Sequence, residues 1–177
     1  FSLHAVRYLA RRFDLVVTDV ERVPIHGESL RFFIQKQGIE SPRVRALYRE
    51  EGKRGLHTSA PFNRFRRVVE ANKKKLKRTL DALKAKGHMI VGYGAPAKGN
   101  TLLNYTGITA EHLSYVTDTT PLKQGLYTPG SHILVMPPDA QRRKRPDYVL
   151  LLSWNYAMQI LKKEAALRKR GCKFIIP

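Results

Sequence analysis

The sequence holds a single cysteine, Cys172. A lone thiol forms no internal disulfide and cannot build a cysteine zinc cluster. Long apolar runs are missing too. The longest, Tyr148 to Trp154, falls far short of the roughly 18 residues of a membrane-spanning helix and suits a buried strand. The N-terminal segment carries Arg7, Arg11 and Arg12 and lacks a signal-peptide cleavage pattern. A cytoplasmic protein with no membrane partner is the expectation. The six histidines are scattered, without a helical His-x-x-x-His pair, and no Ser/His/Asp set stands in a recognisable context. No catalytic cluster is expected inside the chain. Its first residue is Phe1 rather than Met, which points to a piece of something longer.

Acidic residues are scarce: 14 Asp and Glu face 33 Lys and Arg, a net charge of +19. Such an excess attracts polyanions or phosphorylated ligands. The basic residues spread over Arg64 to Lys86, Arg142 to Arg145 and Lys162 to Lys173, mostly as solvated helix faces. No nucleic-acid signature and no interleaved stacking aromatics accompany them, so no specific nucleic-acid partner is expected. A basic nucleic-acid-binding module stands as the alternative of another class.

What is present is a glycine turn. The apolar run from His88 to Val91 enters Gly92-Tyr93-Gly94-Ala95-Pro96-Ala97-Lys98-Gly99-Asn100, and a helix-like segment from Thr101 to Tyr105 leaves it. Gly92-x-Gly94-x-x-Ala97 matches the nucleotide-binding fingerprint of strand, turn and helix start. Gly92 allows the tight turn, Gly94 lets a phosphate approach the backbone, and the small Ala97 lets helix and strand pack closely. Free N–H groups at the helix start favour an anion. The apolar run Leu113 to Val116 then leads to Asp118, 24 positions after Gly94, where such folds place a ribose-binding carboxylate. The plain alternative is a tight structural turn.

At 177 residues the chain buries a real core, with one domain plus an appendage as the natural count. Residues 2–13 form an amphipathic helix, in which His4 is a surface residue. Residues 14–20 and 30–34 form an antiparallel strand pair about a Pro/Gly turn. One helix and two strands are too little for a stable domain alone and are expected to complete a larger sheet. Residues 41–61 read as a polar connector without periodicity. Residues 62–86 form a long helix with an apolar stripe of Phe65, Val69, Leu76, Leu80 and Leu83, stopped by Gly87. Strands at 88–92, 113–117, 132–136, 147–152 and 173–176, with helices at 97–106 and 155–170, give a mostly parallel α/β sheet.

Ligands of such sheets bind beyond the carboxyl ends of the strands. That rule selects Gly92, Tyr93, Gly94, Pro96, Lys98 and Asn100, then Asp118, Lys123, Tyr127 and His132, then Trp154 and Asn155. Aromatic rings, amides and lysines at one edge suit a ring-bearing ligand with phosphates. Each has a structural alternative: Tyr93 and Trp154 as core aromatics, Lys98 as a solvated cation, Asp118 as a turn cap, His132 as a buried hydrogen-bonded residue.

Three stretches carry a resemblance to a family: Gly92 to Tyr105, Lys123 to Ile133, and Arg145 to Asn155. They closely resemble the C-terminal domain of S-adenosylmethionine-dependent C-methyltransferases, among them enzymes that methylate deoxysugar nucleotides. Phe1-Ser2-Leu3 resembles the end of the family's Tyr-His-Glu-His stretch. His26-Gly27-Glu28-Ser29-Leu30-Arg31 resembles its His-Gly-Gly-Ser-Leu-Arg motif, with Glu28 in place of the second glycine. Ser153 stands where the family often has proline. The resemblance implies a zinc-binding domain, then an adenosylmethionine-binding domain, then this Rossmann-like domain, with a nucleoside-diphosphate sugar between the last two. It implies that zinc, the adenosylmethionine site and the histidine base precede Phe1, so the chain alone is inactive. Residues 1–40 would then be the end of the truncated methyltransferase domain, 41–61 a connector, and 62–177 the Rossmann-like domain, with His26, Ser29 and Arg31 facing the other domain or the substrate. An NAD(P)-binding oxidoreductase fragment is a third reading, and nothing after Asp118 supplies a hydride-transfer set.

Overall fold

The computed structural model describes residues 1–25 and 28–177. The chain divides into two compact units, Phe1–Val69 and Glu70–Pro177.

The first unit contains α1 (Leu3–Arg11), β1 (Val16–Val23), β2 (Ser29–Gln35) and α2 (Pro42–Lys53). Helix α1 begins where the Ser2 hydroxyl accepts the Ala5 amide at 3.2 Å. Strands β1 and β2 pair antiparallel, from Val16 opposite Gln35 to Val23 opposite Ser29. Leu3, Ala10, Val17, Val20, Val44 and Leu47 close its core. Segment 41–61 is therefore not an irregular connector throughout. Ser41 caps α2 through the Val44 amide at 3.3 Å, Pro42 fits the first turn, and the helix buries Val44, Leu47 and Glu51. Only three of its twelve residues are buried, too thin an apolar stripe for periodicity to reveal.

His4 is not a free surface residue either. Glu51, only 4% exposed, accepts the Leu3 amide at 2.7 Å, the His4 amide at 3.0 Å and the His4 ring Nδ1 at 2.8 Å. A buried carboxylate thus ties α2 to the start of α1. Burial pushes the Glu51 carboxyl up, but His4 and the two amides outweigh it and hold its pKa below the ordinary value. Glu28 adopts φ 91°, the left-handed region that glycine takes without strain, and Arg22 Nη1 donates to its carboxylate at 2.8 Å.

Helix α3 (Ala60–Ala85) runs through the boundary of the units. Its expected stripe is only half used. Leu76 and Leu80 are buried and Leu83 packs on the same core, whereas Phe65 is 67% exposed.

The second unit adds β3 (Ile90–Tyr93), α4 (Ala97–Thr106), β4 (Val116–Thr117), β5 (Val135–Met136), α5 (Asp139–Lys144), β6 (Tyr148–Leu151), α6 (Ala157–Lys163), α7 (Ala165–Lys169) and β7 (Lys173–Ile175). The sheet order is β5-β4-β3-β6-β7, and every pair is parallel. Alternate residues serve opposite faces. Ile90, Val116, Leu150 and Leu152 pack with Leu76, Leu80 and Leu103. Val91, Val149 and Leu151 pack with Ile160 and Leu167. Covering both faces is what a parallel sheet requires. The fold is the expected Rossmann-like α/β sheet preceded by a helix and an antiparallel pair. In the second unit the helices differ from the sequence reading. Helix α5 was not foreseen, and the single helix expected over 155–170 breaks at Glu164, whose backbone leaves the helical region (φ −96°, ψ 26°).

Candidate functional site

The strand order turns at β3. One crossover leads from it to β4 and β5, and the chain then returns to β6 on its other side. Loops after β3 and β6 therefore diverge at the carboxyl edge, which creates a crevice there. Lys98, in the first turn of α4, bridges it. Its Nζ donates to Asn155 Oδ1 and lies 5.3 Å from the Trp154 ring centre and 5.9 Å from that of Tyr156. Lys98, from the stretch after β3, and Trp154 and Asn155, from the stretch after β6, meet at one point. Tyr156 joins them; its place two residues beyond Trp154 was the only signal for it.

No side chain caps α4, and its first internal bond is the Asn100 amide to the Pro96 carbonyl at 3.0 Å. The N–H groups of Ala97, Lys98 and Gly99 precede that bond and point out of the helix end. With no acidic residue in this first turn, the end favours an anion.

The glycines act differently from the fingerprint's assignment. A Cβ on Gly92 would lie 2.5 Å from Val116 Cγ1, so this glycine lets β4 approach β3. Gly94 has φ 85°, and a Cβ there would lie 2.3 Å from Ser153 Oγ. The close approach of helix to strand, expected of Ala97, belongs to Gly99: its Cβ would lie 2.8 Å from Leu152 Cβ, whereas Ala97 is exposed. The reason is helical phase, because the α4 face turned to the sheet carries Gly99 and Leu103, not Ala97.

Asp118 is already engaged. Its Oδ2 accepts the Ala95 amide at 2.7 Å and its Oδ1 the Thr120 amide at 2.8 Å. Lys123 Nζ donates to the Ala95 carbonyl at 3.0 Å and lies 3.6 Å from Asp118 Oδ2. Burial pushes the Asp118 carboxyl up; the two amides and Lys123 more than reverse this and lower its pKa. The acid thus ties the end of β4 to the glycine turn. Each oxygen of the one carboxylate placed for a ribose already accepts a backbone amide.

Two clefts flank the turn. One, of about 420 Å³, lies between α4 and the segment after β4, with Pro96, Asn100, Lys123, Leu126, Tyr127 and Leu152 among its walls. The other, of about 290 Å³, has Tyr93, Thr119, Ser153, Gln159 and Lys163 in its lining. Tyr93 donates its hydroxyl to Glu164 at 3.1 Å, and burial together with Glu164 pushes its pKa up to about 12. His132 lines neither cleft. It is exposed, at φ 51°, in the turn where the Thr128 and Ser131 hydroxyls meet at 2.6 Å. That turn is held on α4, since Asn104 Nδ2 donates to the Pro129 carbonyl at 3.0 Å.

In the first unit Ser29 donates to the Ile25 carbonyl at 3.0 Å, and Arg31 pairs with Glu21 at 3.4 Å. His26 lies outside the described residues. Among the described residues no group of three His, Cys, Asp or Glu side chains is placed to hold a metal, and no helix is long and apolar enough to cross a membrane.

Comparison with known proteins identifies the family. The family model of the C-methyltransferase C-terminal domain matches residues 24–177. The C-methyltransferase NovU of Streptomyces niveus is 33% identical over 180 aligned residues, covering 100% of this chain and 43% of that protein. The chain thus spans less than half the length of its curated relative. On the match to residues 24–177, the chain belongs to the C-methyltransferase C-terminal domain family.

Proposed function

We propose that this chain is the substrate-holding portion of an S-adenosylmethionine-dependent C-methyltransferase whose substrate is a keto-deoxysugar nucleotide, methylated at an enolate carbon. The observation that carries the reading is the crevice at β3 and β6. There the uncapped start of α4 and the Lys98 ammonium converge beside Trp154 and Asn155. Backbone N–H groups and a lysine are the donor set a diphosphate takes.

In this reading the α4 amides and Lys98 bind the diphosphate, Lys123 adds a second positive charge, and Trp154 and Tyr127 supply ring faces. The work of the chain is positioning, which converts an encounter into an oriented complex and removes a large part of a reaction barrier. In this reading another part of the enzyme holds the methyl donor, the zinc and the proton-abstracting base, which accords with a chain that aligns with 43% of its relative. The first unit, α2 included, closes the methyltransferase domain, and Glu70–Pro177 forms the substrate domain.

An amide-resolved NMR titration with a thymidine-diphosphate sugar tests this. Shifts concentrated at Gly94–Asn100 and Ser153–Asn155 are expected. Saturable binding that moves none of these amides contradicts the reading.

A further inference from the structure

Within the reading just given, we infer that the nucleoside ring enters the cleft between α4 and the segment after β4, and that Asn100 is the residue that reads it. The two clefts at the turn differ in chemistry. The smaller carries Asp118, Thr119, Gln159 and Lys163 beside Tyr93 and Tyr156 and is the more polar of the two. The larger, about 420 Å³, has Pro96, Leu126, Val135 and Leu152 in its walls, and this volume lies in the range of small-ligand sites. A flat heterocycle gains most from the apolar one, where its faces leave water.

Asn100 supplies the polar contact. It lines the larger cleft, and its Oδ1 is buried with no hydrogen-bond partner. Among the described residues it is the one buried side-chain polar atom left in that state. A buried acceptor without a donor is costly, and such atoms mark sites where a ligand completes the bond. A ring or exocyclic N–H of a nucleobase, met by a turn of the amide about its last torsion, provides that donor. The placement also joins the two ends of the ligand. Pro96 and Ala97 line the cleft and begin the helix whose N–H groups face the phosphates, so ring and diphosphate occupy adjacent parts of one element.

The test is calorimetric titration of the full chain with uridine diphosphate and with inorganic pyrophosphate, on wild type, Asn100→Leu and Leu126→Gln. Leu126 is 59% exposed, so a neutral polar group there leaves folding intact, and Asn100→Leu removes an acceptor that the protein itself does not satisfy. Uridine diphosphate is expected to bind at least tenfold more tightly than pyrophosphate. Each substitution should erase most of that difference and leave pyrophosphate binding unchanged. Equal affinity for the two ligands, or a uridine diphosphate affinity indifferent to both substitutions, overturns the ring assignment and leaves the phosphate site standing. Failure of wild type to bind either ligand overturns the phosphate reading itself.

Discussion

Asp118 Oδ2 accepts the backbone N–H of Ala95 at 2.7 Å, so the acid at the end of β4 fixes the turn at the end of β3. Asp118→Ala leaves the Ala95 and Thr120 amides and Lys123 without their partner. The loss should be about 1–3 kcal/mol, visible as a lowered urea midpoint with an unchanged slope. A ligand-contact role alone predicts an unchanged midpoint instead.

Gly99→Ala sets two effects against each other. Alanine in a helix interior is favoured over glycine by about 1 kcal/mol. Here the new Cβ would meet Leu152 Cβ at 2.8 Å and the Leu152 carbonyl at 3.2 Å, neither of which can swing away. Overpacking of this kind costs about 1–3 kcal/mol. The net effect should be destabilising, whereas Ala97→Gly should cost only the propensity term. A more stable Gly99→Ala variant in thermal melts would show that helix and strand are not packed as described.

Acidification should loosen the first unit. Arg43 and Ser41 hydrogen-bond Asp19 and lower its pKa from 3.8 to about 2. Glu51 is lowered as well. A carboxylate lowered in the folded state contributes stability that is complete above its unfolded pKa. That contribution is lost as pH falls through the folded value. Unfolding followed by circular dichroism should therefore set in below about pH 4 and deepen towards pH 2. Glu51→Ala should cost about 2–3 kcal/mol at neutral pH, because two amides and the His4 ring lose a buried partner. Stability independent of pH between 5 and 2 would contradict this assignment.

The net charge of +19 should produce only weak, sequence-independent nucleic-acid binding. In fluorescence anisotropy with duplex DNA, affinity should fall steeply as salt rises, as counterion release dictates. Sequence-selective nanomolar binding at physiological salt would favour a nucleic-acid module over an enzyme part.

The parallel sheet was legible because its strands are apolar runs separated by turns and one strong helix. Ile90, Val116, Val149 and Leu150 announce themselves. So did the meeting of Lys98 with Trp154 and Asn155, since topology alone carries the ends of β3 and β6 to one edge. Helix α2 was hidden, as its stability rests on Ser41 and a few buried contacts rather than on a broad apolar face. The part played by Glu51 was invisible, because nothing local says that a glutamate 47 residues from His4 will cap its helix. Spacing placed Asp118 correctly at a strand end. It could not say that the backbone of Ala95 would take up the carboxylate first.

The central claim is that Lys98 and the start of α4 hold the diphosphate of a sugar nucleotide. Titration calorimetry with a thymidine-diphosphate sugar and with adenosylmethionine, on wild type and Lys98→Ala, tests it most directly. The sugar nucleotide should bind wild type weakly, lose a further ~1–3 kcal/mol in Lys98→Ala, and adenosylmethionine should give no measurable heat. Tight adenosylmethionine binding that disappears in Asp118→Ala would contradict the account and return the glycine turn to the methyl donor.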